Sequence, residues 1–121
     1  MECVYSVLIV EDDPVMVKLY SVILEREKSI SFHVITSVEQ FAEDYSKGLP
    51  NFEVAIFDAC LNSREANAIP LLKQLKSYNP GAVIIAASAN HNRELVEAGA
   101  HQAHEKAQAA YRALDLIKSL N

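Results

Sequence analysis

The sequence predicts an α/β protein built around one doubly wound parallel sheet. Short, almost continuously apolar runs recur along the chain, and between them lie segments whose apolar residues repeat every three to four positions. Continuous apolar runs are typical of strands buried on both faces, and the intervening segments are typical of helices that cover those faces. The resulting order βαβαβαβα(β)α requires right-handed crossovers, which put helices on both sides of the sheet.

The first half of the chain predicts three strands and two helices. The strands are the apolar runs at residues 4–10, 31–35 and 54–57. Asp12-Asp13-Pro14 is a helix-start signal, and the helix that follows carries the apolar stripe Met16, Leu19, Tyr20 and Ile23. The second helix is expected at residues 38–46, because Lys47-Gly48 is a typical helix end.

The third and fourth helices flank a fourth strand. Asn67 is expected to cap the third helix, with Pro70 in its first turn and a core face made of Ile69, Leu72 and Leu75. Asn79-Pro80-Gly81 then breaks the chain before a strand at residues 82–87. The fourth helix is expected at residues 92–98, where Gly99 ends it.

The last helix is predicted more strongly than the last strand. Residues 107–120 have a helical period, with an expected core face made of Tyr111, Leu114, Ile117 and Leu120. Residues 100–105 (AHQAHE) contain no β-branched or aromatic residue, contrary to the usual strand preference. A fifth strand there is required by the alternation of strands and helices rather than by its own composition.

Length and composition exclude several classes of protein. With 121 residues, half of them hydrophobic, the chain is expected to form a single domain over residues 1–121. Its net charge of −5 argues against a nucleic-acid surface, which requires clustered lysine and arginine. No apolar run is long enough to cross a bilayer, no secretion signal opens the chain, and Cys3 and Cys60 make no disulfide framework. We therefore expect a cytoplasmic protein that binds neither nucleic acid nor membrane.

Charged and polar residues follow the predicted strands at one edge of the sheet. Glu11 and Asp12 follow the first strand, Asp58 the third, Ser88 the fourth and Lys106 the weak fifth. Ligands of doubly wound sheets bind at these carboxyl ends, so we expect the side chains to share one crevice. Clustered carboxylates attract a cation, and hard oxygen ligands with open positions suit Mg²⁺. An aspartate beside such an ion can attack phosphorus, while a lysine and a hydroxyl stabilise the phosphoryl oxygens.

These residues lie in segments that together resemble the receiver domains of bacterial two-component response regulators, of the single-domain, chemotaxis-regulator-like kind. The segments are VLIVEDDP with Glu11 and Asp12, VAIFD with Asp58, VIIAASA with Ser88, and EAGA followed by Lys106. The resemblance covers essentially the whole chain. It implies a flavodoxin-like (βα)5 fold with strand order 2-1-3-4-5, and a phosphoacceptor signalling switch of a phosphorelay rather than an enzyme that turns over a substrate.

The resemblance also implies how the site would hold its ion and its phosphoryl group. Asp58 would accept a phosphoryl group from a histidine kinase or a histidine phosphotransfer protein, and the phosphorylated chain would bind a downstream protein. Asp12 and Asp58 would be direct Mg²⁺ ligands together with the backbone carbonyl of Cys60. Glu11 would act largely through a bound water.

The same resemblance implies roles for Lys106, Ser88 and Asn90, and a second role for Cys60. Lys106 would pair with Asp58 and then with the phosphoryl group, towards which Ser88 would move. Cys60 and Asn90 would occupy the positions that control the lifetime of the acyl phosphate.

The part of the sequence that would relay phosphorylation, according to this resemblance, departs from the family pattern. Ala103 replaces the usual aromatic residue three positions before the lysine, and Ala107 replaces the proline after it. The stretch between Ser88 and Lys106 is shorter by about four residues, roughly one helical turn, which predicts a short or partly unwound fourth helix. The loop after Asp58 is about two residues longer than usual. An alternative function is therefore a pseudo-receiver, a protein-interaction module that is not phosphorylated.

Two further interpretations have weaker support. A phosphohydrolase of the haloacid-dehalogenase type needs Asp-x-Asp, but Asp58 is followed by Ala59-Cys60. His101 and His104, next to Glu105, suggest a zinc site, but their spacing lacks the HExxH order and no third ligand is evident. Solvent-facing positions on an edge strand are the simpler interpretation of these histidines.

Overall fold

The computed structural model describes residues 5–120, which form one five-stranded parallel sheet flanked by five helices. The elements are β1 (Tyr5–Val10), α1 (Pro14–Leu24), β2 (Ile30–Ile35), α2 (Val38–Lys47), β3 (Val54–Phe57), α3 (Ile69–Tyr78), β4 (Val83–Ala86), α4 (Asn92–Ala98), β5 (Gln102–Ala103) and α5 (Lys106–Lys118). The strand order β2-β1-β3-β4-β5 confirms the predicted doubly wound, flavodoxin-like fold. Cys3 and the predicted first residue of β1 lie outside the described residues.

The central strands set which residues meet at the carboxyl edge of the sheet. In the β1–β3 ladder Val10 lies opposite Phe57, which in turn lies opposite Ala86 in the β3–β4 ladder. The ladders continue beyond the strands, because the Asp58 N–H donates to the Val10 carbonyl oxygen and the Ala87 N–H to the Phe57 carbonyl oxygen, both at 2.9 Å. The residues that follow β1, β3 and β4 therefore emerge side by side.

Alternating strand residues pack into two separate core layers. In β1, Leu8 and Val10 belong to the layer that contains residues of α2, α3 and α4, whereas Val7 and Ile9 belong to the layer that contains residues of α1 and α5. All four side chains are fully buried. Burial on both faces explains why the strand sequences are continuously apolar.

The core face of α5 is made largely of small residues and differs from the predicted one. Its buried residues are Ala109, Ala110, Ala113, Leu114 and Ile117. Tyr111 and Leu120, which the spacing placed on this face, are 41% and 55% exposed, and Leu19 of α1 is also exposed. The prediction is confirmed for Leu114 and Ile117 and wrong for Tyr111 and Leu120. In α5 it was wrong because alanine gives a weak apolar signal, so large residues on a neighbouring face dominated the pattern. The alanines leave room in this layer for the fully buried ring of Tyr20.

The hydroxyl of Tyr20 is buried and has no hydrogen-bond partner within residues 5–120. Such a group costs free energy, because its bonds to water are lost and not replaced. Tyr20→Phe is therefore expected to raise the free energy of unfolding by about 1 kcal/mol, measured by urea denaturation.

A second tyrosine gives the matched control for this substitution. The Tyr78 hydroxyl donates to the Leu49 carbonyl oxygen at 2.6 Å, so Tyr78→Phe should lower stability by about 1 kcal/mol. A Tyr20→Phe chain less stable than the native one would contradict the prediction.

Asn67 does not cap α3, contrary to the sequence prediction. The N-cap residue is Ala68, which makes no side-chain cap bond. The Asn67 side chain instead accepts from the Leu61 N–H at 2.8 Å and donates to the Leu61 carbonyl oxygen at 2.9 Å, which closes the β3–α3 loop. Within the predicted helix-start signal, Asp13 caps α1, since its carboxylate accepts from the Val15 N–H at 2.9 Å.

The weakly predicted fifth strand is present but has only two residues. Beside it, the His101 N–H donates to the Ile84 carbonyl oxygen at 2.8 Å, and His101 Nδ1 accepts from the Ile84 N–H at 3.0 Å. Helix α4 has seven residues, which confirms the short fourth helix, and it ends at Gly99 with φ of 125°, a conformation that favours glycine. Among residues 5–120, no helix combines the length and the apolar character that crossing a bilayer needs.

Candidate functional site

The structure brings the predicted site residues together at the carboxyl edge of the sheet. Asp12 follows β1, Asp58 follows β3, Ser88 follows β4, and Lys106 is the first residue of α5. Together with Cys60 they line an open cavity of about 350 Å³. The crevice expected from the strand ends therefore exists in the folded chain.

Three carboxylates cluster at this edge of the sheet, and two of them, those of Asp12 and Asp58, line the cavity. Glu11, Asp12 and Asp58 each offer one oxygen, and these oxygens lie within 4.8 Å of one another. Glu11 is 1% and Asp58 4% exposed. Clustered carboxylate oxygens are the donor set that Mg²⁺ prefers, so the residues present fit this ion. Cys60 lies beside the cluster, where its backbone N–H donates to Asp58 Oδ1 at 3.4 Å, and its carbonyl oxygen as a ligand stays a prediction.

Lys106 bridges two of the carboxylates. Its Nζ donates to Glu11 Oε1 at 2.8 Å and to Asp58 Oδ2 at 3.1 Å. The other Glu11 oxygen accepts from the N–H groups of Asp12 and Asp13 at 3.1 and 3.2 Å. Burial alone would lower the pKa of Lys106, but the two carboxylates more than offset it and hold this pKa above its usual value. The ammonium group therefore stays charged beside Asp58.

Burial raises the pKa of Glu11 from 4.5 to about 7. The charge of Asp58 adds to the rise, whereas Lys106 and the Asp13 N–H oppose it. The metal-free chain thus keeps a proton on Glu11 close to neutral pH, and a bound divalent cation would displace it.

This pKa predicts that the stability of the metal-free chain falls as pH rises. Between pH 4.5 and about 7 the folded chain keeps the Glu11 proton that the unfolded chain releases, so rising pH favours the unfolded state. We expect the free energy of unfolding to fall by up to about 3 kcal/mol across this window. Mg²⁺ should stabilise the chain more at about pH 8 than at about pH 5.5, because it competes with the proton.

Urea unfolding of the native and Glu11→Gln chains, with EDTA or with Mg²⁺, measures both effects. The glutamine variant should lose most of the slope between pH 4.5 and about 7. If it keeps the full slope, Glu11 is not the titrating group.

The β3–α3 loop supplies cavity residues that the sequence prediction missed. Ser63 and Arg64 line the cavity. The loop is tied to the acidic cluster, because the Asn62 N–H donates to Asp12 Oδ2 at 2.9 Å. The sequence did indicate that this loop is longer than usual. Length alone does not predict the path of a loop, so it could not show that Ser63 and Arg64 line the cavity.

The first residue of α4 holds the end of β4 close to the end of β5. Asn92 Oδ1 accepts from the Ser88 N–H at 2.7 Å, and Asn92 Nδ2 donates to the His104 carbonyl oxygen at 3.2 Å. Ser88 is 6% exposed at the cavity. Asn90 and His91 line the same cavity, where the sequence had indicated only Asn90.

The zinc interpretation of the two histidines receives no support. Within residues 5–120, the acidic cluster is the only group of histidine, cysteine, aspartate and glutamate side chains with metal-ligand spacing. His101 Nδ1 accepts from a backbone N–H, and His104 Nε2 lies 3.0 Å from Gln102 Oε1.

Comparison with known families decides which family has this fold and this site. A family model of the response regulator receiver domain matches residues 7–118, nearly the whole chain. The chain belongs to the response regulator receiver family. Receiver domains are the phosphoacceptor switches of two-component signalling, and they interact with histidine kinases and other phosphodonors. Comparison with curated protein sequences gives no significant match.

Solved structures of other response regulators share the receiver fold. RcsB of Salmonella typhimurium is 18% identical with a TM-score of 0.72, and the match covers 96% of this chain and 59% of that one. A CheY-like receiver domain protein from Methanospirillum hungatei is 24% identical with a TM-score of 0.71, covering 95% and 91%. A Burkholderia pseudomallei response regulator, solved with a phosphorylated aspartic acid, is 18% identical with a TM-score of 0.72, covering 91% and 64%. This chain spans less than two thirds of the first and third, and these similarities show the fold alone.

Proposed function

We propose that this receiver is a Mg²⁺-dependent switch in which Asp58 takes up a phosphoryl group and the phosphorylated state controls the binding of a partner protein. The observation that carries the proposal is the contact of Lys106 Nζ with Asp58 Oδ2 at 3.1 Å, beside the three clustered carboxylates. A nearly buried aspartate with a cationic partner and ion-binding oxygens has what phosphoryl transfer requires. The donor would be a histidine kinase or a histidine phosphotransfer protein in the cytoplasm.

The transfer itself takes place at one oxygen of Asp58. This oxygen attacks the donor phosphorus, the bond from phosphorus to the histidine nitrogen breaks, and the departing imidazole takes up a proton. Mg²⁺, when held by the carboxylates and the Cys60 carbonyl, supplies positive charge to the phosphoryl oxygens. Each chain takes up one group and loses it by slow hydrolysis, so it is a switch and not a turnover enzyme.

Lys106 and Ser88 respond to the new phosphoryl group. Once Asp58 is phosphorylated, it no longer carries the carboxylate charge that holds the ammonium, and Lys106 Nζ donates to a phosphoryl oxygen instead. The Ser88 hydroxyl lies in the same cavity and donates to another phosphoryl oxygen. The change in these two contacts carries the phosphorylation signal out of the cavity.

Incubation with acetyl phosphate and Mg²⁺ tests the proposal. We expect intact-mass spectrometry to show one added phosphoryl group, borohydride reduction and peptide mapping to locate it at Asp58, and EDTA to prevent it. If acetyl phosphate, phosphoramidate and a phosphorylated histidine phosphotransfer protein all give no adduct, the chain is instead a pseudo-receiver that binds partners without phosphorylation.

A further inference from the structure

The β3–α3 loop is fixed beside the cavity by hydrogen bonds within the loop and by bonds to two distant parts of the chain. Asn67 closes the loop onto Leu61 through the two hydrogen bonds described above. In the middle of the loop, the Asn62 N–H donates to Asp12 Oδ2 and Asn62 Nδ2 donates to the Thr36 carbonyl oxygen at 3.2 Å. The loop therefore has a defined position relative to the acidic cluster.

This loop places Arg64 at the cavity with an unpaired guanidinium group. Arg64 lines the cavity beside Ser63, and its carbonyl oxygen lies 4.0 Å from the Cys60 thiol. Within residues 5–120 the guanidinium makes no ion pair or hydrogen bond. Arg93 of α4 and Arg112 of α5, by contrast, each pair with an acid on their own helix.

The charges around the cavity indicate that an incoming phosphoryl group needs a further positive side chain to bind it. With Mg²⁺ held as proposed above, the three carboxylates are balanced by the ion and by the ammonium of Lys106. No net positive charge then remains at the site for the negative phosphoryl group that a donor brings. Lys106 is bonded to Glu11 and Asp58 before transfer, so it offers little to the incoming group. A guanidinium has a planar fork of donors that matches two phosphoryl oxygens.

We propose that Arg64 is a donor-binding residue, whose guanidinium donates to the phosphoryl oxygens of the incoming phosphodonor and favours dianionic donors over singly charged ones. This inference rests on the proposed phosphorylation of Asp58. Arg64 acts before transfer, while Lys106 is still held by the carboxylates. Lys106 acts after transfer, when the phosphoryl group is on Asp58.

Two small donors of different charge test the role of Arg64. Near neutral pH the phosphoryl group of acetyl phosphate is dianionic, whereas phosphoramidate is mostly singly charged. We expect Arg64→Ala to lower the second-order rate constant of phosphorylation about five- to tenfold with acetyl phosphate and less than about twofold with phosphoramidate. Arg64→Lys should recover part of the rate with acetyl phosphate, because it keeps the charge but not the fork.

Arg93→Ala is the matched control. It removes one positive charge from a side chain that is 88% exposed and pairs with Glu97 outside the cavity, so both rate constants should stay unchanged. The chain has no tryptophan, so rates are followed by intact-mass spectrometry, and far-UV circular dichroism checks that each variant is folded.

The outcomes separate this inference from the function on which it rests. Equal losses with both donors, no loss with acetyl phosphate, or the same loss in Arg93→Ala would each overturn the role of Arg64 and leave the switch standing. A native chain that takes up no phosphoryl group from either donor would overturn the proposed function, and the role of Arg64 would fall with it.

Discussion

Replacement of Asp58 by asparagine is expected to abolish phosphoryl uptake and to leave the chain at least as stable as the native protein. Asparagine keeps the shape of the side chain but lacks the nucleophilic carboxylate, so uptake from acetyl phosphate should fall by at least about a hundredfold. The substitution also removes a charge that repels Glu11 and raises its pKa. We therefore expect the free energy of unfolding at neutral pH to rise by about 1 kcal/mol.

Asp13→Asn is the matched control for this substitution. Asp13 follows the same strand as Glu11 and Asp12, but its carboxylate caps α1 by accepting from the Val15 N–H, and asparagine caps helices about equally well. Intact-mass spectrometry and urea unfolding should show native uptake and native stability in this control. Uptake at a second residue in Asp58→Asn would contradict the assignment of Asp58 as the acceptor.

The acidic cluster could be predicted because its residues follow strand ends directly. A strand that is buried on both faces has a strong apolar signal, and the parallel register fixes which residues emerge beside one another. Asp58 continues the β1–β3 ladder through its own N–H, so its place depends on backbone geometry that the sequence pattern already specifies. Lys106 could be placed although β5 has a weak strand signal. The alternation of strands and helices requires a strand between α4 and α5, and Lys106 follows the end of that strand.

The β3–α3 loop could not be predicted because its path depends on contacts between distant residues. An asparagine amide can cap a helix or bond to a loop backbone, and the choice made by Asn67 depends on where Leu61 lies. Asn62 is likewise held by Asp12 and Thr36, which are distant in sequence. The position of Arg64 depends on these contacts, so no local sequence pattern could predict that it lies at the cavity.

Replacement of Lys106 by alanine is expected to destabilise the metal-free chain strongly and in a pH-dependent way. Within residues 5–120, Lys106 is the only cation that bonds to the buried carboxylates of Glu11 and Asp58. We expect the free energy of unfolding to fall by about 2–3 kcal/mol at about pH 8, which is less than for a fully buried pair because water reaches the half-buried lysine. At about pH 5.5 the loss should be smaller, because Glu11, with a pKa of about 7, is then protonated and one of the two charges is gone.

Lys47→Ala separates the effect of burial from the loss of an ion pair. Lys47 Nζ lies 2.8 Å from Glu43 Oε1, the same distance as in the Lys106–Glu11 pair, but both side chains are exposed, so its loss should not measurably change stability. Mg²⁺ should restore most of the free energy of unfolding that Lys106→Ala loses, because a divalent cation supplies the missing positive charge. Urea unfolding measures this recovery. A Lys106→Ala chain that matches Lys47→Ala at both pH values and does not respond to Mg²⁺ would mean that the carboxylates carry no mutual repulsion. The physical basis for metal binding, and for phosphoryl transfer at Asp58, would then be lost.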